Sequence, residues 1–121
     1  KRRDVAAMTT AIEAMREMAD RHALPLEADR AFHLAIVDAC GNAVLSETVQ
    51  AFWDSRRGPI FMRLGGYFES ERSWRAAIAE HVVIRDAIAE RDAPAARAAM
   101  HRHMDRAHQR FSASWRRAKA T

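Results

Sequence analysis

Apolar residues recur at three- and four-residue intervals along almost the whole chain, and that spacing leaves little choice but helices. Val5, Met8, Ile12, Met15 and Met18 mark one run, and Phe32, Ile36 and Cys40 a second. Val44, Leu45, Val49, Phe52 and Trp53 follow, then Trp74, Ala77, Ile78, Ile84 and Ile88, and finally Ala96, Met100, Met104, Ala107 and Phe111. Residues so spaced share one face of a 3.6-residue helix. Composition agrees: 26 Ala and 18 Arg stand among 121 residues, against 16 for Val, Ile and Thr together. Good helix formers dominate and strand formers are scarce. The expected fold is all-α, an antiparallel helical bundle of about five or six helices in one domain.

Punctuation sets the helix boundaries. The first helix runs from about Asp4 to Arg21 and is broken at Ala23-Leu24-Pro25, because the residue before proline is driven out of helical geometry. The second runs from about Leu26 to Cys40 and stops at Gly41-Asn42, both tolerant of left-handed backbone. The third begins near Ala43; Gly58-Pro59 interrupts it and Gly65-Gly66 marks another break, leaving residues 60–68 helix or loop. The fourth spans about Glu71 to Arg91. Asp92 is the N-cap expected for the last, which admits Pro94 in its first turn and runs to about Arg116.

The formal charge is +4 and the isoelectric point about 10.2, values met in nucleic-acid binders. The basic excess, however, gathers at the ends, with no basic stripe interleaved with aromatics. It reads as solvated helical surface. No 18-residue apolar run is present, so no membrane span is expected. One cysteine, Cys40, cannot form an internal disulfide and fits a reducing, cytoplasmic setting. It also lies on an apolar face, where thiols are inert.

Polar residues on the apolar faces carry the chemistry. At 100° per residue, Asp29 and His33 lie about 40° apart inside the apolar stripe of the second helix. A carboxylate facing a core is costly unless paired or bound to a cation. The i, i+4 spacing lets both converge on one point; an Asp–His hydrogen bond or a pair of metal ligands would satisfy it. His81 sits at the centre of the fourth helix's buried stripe, with Arg85 one turn on and Trp74 beside it. On the last helix His101, His103 and His108 all border the apolar face, and periodicity does not choose among them.

One Asp and three His around one point suit a divalent ion, zinc first, with nickel, manganese or iron as alternatives. The ion keeps about one net positive charge after one carboxylate binds, so a small carboxylate completes it. A metal-dependent hydrolase or oxygenase could use the same Asp/His site, and a metal-free helical interaction module would use the histidines as core. HExxH is absent, no general base remains once Asp29 is a ligand, and no catalytic residues are expected.

Asp29-Arg-Ala-Phe32-His33, then Ala39-Cys-Gly41-Asn42 and Leu45, resembles the D-x-x-F-H … A-x-G-N-x-x-L signature of the FCD effector-binding domain of FadR-like GntR transcriptional regulators. Glu80-His81-Val-Val-Ile84, Arg91-Asp92 and Met100-His101-Arg102-His103 continue the likeness over nearly the whole chain. The resemblance implies a bundle whose metal ligands are Asp29, His33, His81 and His103, with His103 selected by motif position. It implies a small carboxylate effector, such as a sugar acid or hydroxy acid, and a homodimeric repressor. It further implies DNA binding through a winged helix-turn-helix that this chain lacks. The family's usual first helix is also missing, so the chain reads as a domain shortened at its N-terminus. Phe52-Trp53-Asp-Ser-Arg56-Arg57-Gly-Pro59 is similar to a segment of hexuronate-responsive members. Arg56 and Arg85 are the expected effector contacts, with Asn42 and Trp74 beside them.

Overall fold

The computed structural model describes residues 1–55, 58 and 70–120. Among these residues it contains five α-helices and no strand. They are α1 (Arg2–Asp20), α2 (Leu26–Ala39), α3 (Ala43–Asp54), α4 (Glu71–Ala89) and α5 (Ala93–Ala120). No helix is long and apolar enough to cross a membrane among them.

Helix α1 lies between α2 and α4, α3 packs on the outside of α2, and α5 packs on α4. The core follows from the spacing on α1: Met8, Ala11, Ile12, Met15 and Ala19 are all buried. Phe32 of α2, Ile78 and Ile84 of α4 and Ala99 of α5 close against them. Small residues at Ala77, Ala87 and Ala99 allow close approach of the helices that meet there.

The connections follow capping chemistry. Asn42 has extended backbone and its side chain accepts the Leu45 N–H at 3.0 Å, so it starts α3, and of the Gly41-Asn42 pair it is Gly41 that takes the left-handed turn, at φ +70°. Ser70 caps α4 through the Ser73 N–H, and Asp92 caps α5 through the Ala95 N–H. Helix α4 ends with the Asp92 N–H donating to the Ala87 carbonyl and the Arg91 N–H to that of Ile88. This closure needs left-handed backbone, and Arg91 supplies it at φ +57°. Arg91 is exposed. Arg91→Gly should therefore stabilise the domain by roughly 0.5–1 kcal/mol, since a side chain in that region costs more than glycine's extra entropy. A urea midpoint that stays or falls would contradict this.

Two expectations change. Cys40 is exposed, because it lies just beyond the last residue of α2 rather than within its packed stripe. Its Sγ donates to the Ile36 carbonyl at 3.5 Å. On α5, Met104 and Phe111 are 42% and 47% exposed, whereas Ala99 and His103 are buried. The buried stripe is therefore rotated from the one hydrophobicity alone defines, because it includes polar members.

Candidate metal centre

Asp29 and His33 come from successive turns of α2, His81 from the middle of α4 and His103 from α5. All four are buried, His81 completely. Three distances describe their convergence. His81 Nε2 lies 3.1 Å from His103 Nε2 and 3.3 Å from Asp29 Oδ1, and His33 Nε2 lies 3.4 Å from the same Asp29 oxygen. One ring nitrogen from each of the three imidazoles lies within 4.8 Å of the others.

These separations match those of ligands around a single ion. Bonds of about 2.0–2.1 Å set neighbouring donors roughly 2.9–3.4 Å apart, between octahedral and tetrahedral angles. His33 Nε2 is also fully buried and makes no hydrogen bond among the described residues. A buried polar atom without a partner costs about 1–3 kcal/mol, and coordination would satisfy it. The donor set of nitrogens and one carboxylate oxygen fits zinc and its first-row neighbours.

Aromatic packing holds the rings. Phe32 stacks on His81 with centroids 4.2 Å apart and planes within 9°, and Trp53 stacks on His33 at 4.5 Å. Arg30 donates to Asp54 at 2.7 Å, tying α3 to α2 where Trp53 reaches the site. Behind His103, its Nδ1 donates to Glu80 Oε1 at 2.7 Å, and Arg110 grips both Glu80 oxygens at 2.8 and 2.9 Å. Burial pushes the Glu80 carboxyl up, but the bonds and charges of Arg110 and His103 outweigh it and hold it below its ordinary value.

Burial pushes the His81 imidazole down to about 3 against the pull of Asp29, with the positive charge of its neighbours adding to the fall. Burial also lowers His103, against its bond to Glu80. Both rings are thus neutral near pH 7, the form that ligates a metal. In the unfolded chain His81 protonates near its ordinary 6.5 but in the folded one only near 3. Between those values the unfolded state binds more protons, so this contribution is complete above about pH 6.5 and is lost as pH falls toward 3. Urea midpoints of the chelator-treated protein should drop between pH 7 and 4.5, by a shift that His81→Gln reduces. Equal slopes in both proteins would refute it.

A cavity of about 550 Å³ adjoins the cluster. Asp29 and His103 stand on its wall with Trp53, Trp74, Arg110 and Phe111. Of the expected effector contacts, Trp74 lines this cavity. Arg85 instead donates to Asp86 at 2.9 Å, and Asn42 is exposed at the start of α3; neither is on that wall. Arg56 falls outside the described residues. His101 and His108 are both exposed, so His103 alone of the three candidates on α5 enters the cluster. Glu80 and Arg110 escaped the sequence reading. The signal for Arg110 was its place two turns after His103, on the same face of α5.

The FCD domain family model matches residues 1–106. The Uxu operon transcriptional regulator of Escherichia coli (strain K12) is 31% identical over 84 residues, which cover 69% of this chain and 33% of that protein. The chain thus spans about a third of the length of the curated relative it matches. No solved structure matches it. A model match over most of the chain, together with this relative, places the resemblance read from the motifs beyond a local likeness: the chain belongs to the FCD domain family.

Proposed function

We propose that this domain senses a small carboxylate through a divalent metal held by Asp29, His33, His81 and His103, and thereby controls a transcription regulator. The observation that carries the reading is the convergence of a buried carboxylate and three imidazoles beside a cavity that Asp29 and His103 line. Family membership and the relative's role as a transcriptional regulator support a regulatory rather than a catalytic task.

In this reading Asp29 offsets part of the ion's charge and the three neutral imidazoles complete the protein's share of the coordination. The metal, zinc first and nickel, manganese or iron otherwise, supplies a positive charge for a carboxylate in a site of low dielectric. Trp53 and Trp74 give the effector, a sugar acid or hydroxy acid, an apolar wall that excludes water. The parent protein acts in the cytoplasm as a homodimeric repressor, and a winged helix-turn-helix outside these residues contacts DNA.

Metal analysis of untagged protein, followed by a thermal-shift screen of sugar acids, hydroxy acids and dicarboxylates, tests this. Near-stoichiometric metal is expected. An acid at about 100 times its dissociation constant should add about 2.7 kcal/mol of stability without being turned over. Absence of metal would sink the metal-centred reading, and turnover of the acid would make the site an enzyme's.

A further inference from the structure

The side chains behind His103 form a continuous path from the cavity to the cluster. Glu80 sits next to His81 on α4, with its side chain only 9% exposed. Its Oε1 accepts from His103 Nδ1 at 2.7 Å and from Arg110 Nη2 at 2.9 Å, and its Oε2 accepts from Arg110 Nη1 at 2.8 Å. Two consequences follow from that geometry.

The first concerns the imidazole. A carboxylate bonded to Nδ1 selects the tautomer with its proton there, which leaves the lone pair on Nε2. Nε2 is the atom 3.1 Å from His81 Nε2, inside the cluster. The second concerns the guanidinium. Arg110 lines the same cavity as Asp29 and His103, and its side chain is 25% exposed. Its two-pronged bond to Glu80 fixes its plane and orientation, and a guanidinium has further N–H groups beyond the two so engaged.

We propose that Glu80 and Arg110 form one positioning pair serving both halves of the site. Glu80 orients His103 toward the metal, and Arg110, held by Glu80, grips the far oxygen group of an anionic ligand whose near carboxylate reaches the centre. The inference rests on the metal-centred reading above and adds the residue that sets ligand class. Acids carrying a second carboxylate or hydroxyl beyond the first are selected over simple monocarboxylates such as acetate. Because the two roles share Glu80, ligand and metal each tighten the binding of the other by the same factor.

The test titrates Zn²⁺ alone into chelator-treated wild type, Glu80→Gln, Arg110→Met and Arg110→Lys, then titrates D-glucuronate, L-malate and acetate into the zinc-loaded proteins. Thermal midpoints check that each variant is folded. Glu80→Gln should weaken zinc binding about 10- to 100-fold. In ¹⁵N-histidine spectra of the metal-free protein, the Nδ1–H form of His103 should predominate in wild type and lose that predominance in Glu80→Gln. A merely structural role for Glu80 would not move that signal. Glu80→Asp, which keeps the charge but shortens the reach, serves if Glu80→Gln does not fold.

Arg110→Met should keep zinc affinity within a few-fold of wild type while weakening glucuronate or malate at least tenfold. Arg110→Lys, which keeps the charge without the fork, should recover part of that loss. Unchanged zinc affinity and tautomer in Glu80→Gln would overturn the pair's metal role. Undiminished acid binding in Arg110→Met, or acetate binding wild type as well as glucuronate and malate, would overturn its ligand role. So would a zinc-loaded wild type that binds neither acid. A wild type that takes up no zinc would instead bring down the metal-centred reading itself, and the pair with it.

Discussion

Asp29→Ala combined with His81→Ala should lower the affinity for Zn²⁺ by well over 100-fold. Loss of a single outer partner of a metal-bound histidine costs about 10- to 100-fold, so loss of two of the four groups that converge here must exceed that range. Both residues are central to the convergence, since Asp29 Oδ1 is the atom within 3.4 Å of both His33 Nε2 and His81 Nε2. The effect on stability follows by linkage. Zinc at about 1,000 times its dissociation constant stabilises wild type by about 4.1 kcal/mol, and at that concentration a variant weakened more than 100-fold should gain less than about 1.4 kcal/mol. Paired urea denaturations, with zinc and with chelator, measure this directly. Because each protein is compared with itself, any loss of intrinsic stability from the substitutions cancels. A double variant that keeps the zinc-dependent gain would put the metal somewhere else.

Phe32→Ala should cost about 3–5 kcal/mol, which is within reach of the whole stability of a domain this size. Phe32 is completely buried, on the α2 face turned to the core that α1 and α4 build. Its ring lies flat against His81 and meets His33 edge-on, with centroids 5.5 Å apart. Truncation thus opens a cavity in the core and removes the surface that holds an imidazole in place. Thermal or urea unfolding of the chelator-treated variant reads the first effect. Weaker zinc binding than wild type in the fraction that remains folded reads the second. Phe32→Leu, which refills most of the volume without the flat ring, separates them: stability should largely return while the zinc defect persists. Complete recovery of zinc affinity in Phe32→Leu would show that the ring's flat contact is dispensable.

The two substitutions probe parts of the site that differed in how openly the chain displayed them. Asp29, His33 and His81 were visible as polar residues within apolar stripes, because α2 and α4 bury faces defined by their own hydrophobic spacing. His103 was not, since Met104 and Phe111 drew the apparent stripe of α5 away from it, and both are substantially exposed in the fold. The buried side of α5 instead carries Ala99, His103 and the half-buried Arg110, and a wheel weighted by hydrophobicity discounts two of the three. Family resemblance selected His103 where periodicity could not. Trp53 stands in the apolar spacing of the third helix; in the fold it is half-buried and stacks on His33, a contact that depends on how α3 returns across α2. Asn42, expected beside the effector, has its side chain engaged as the cap of α3.

By itself the chain determined what short-range physics controls. Periodic apolar residues, proline and glycine breaks and the Asp92 cap set the five helices among the described residues and much of their boundaries, because each signal acts within a few residues. It also determined that charged and imidazole groups would face inward from α2 and α4. Only the tertiary structure decided what they meet there. The Glu80–His103 and Glu80–Arg110 bonds join residues 23 and 30 positions apart, and the His81–Asp29 approach spans a separation of 52 positions, 81 minus 29. Such pairs depend on the rotation and axial register of one helix against another. Those are set by the packing of Met15, Phe32, Ile78 and Ala99 around a common core, and no local pattern in the chain encodes them.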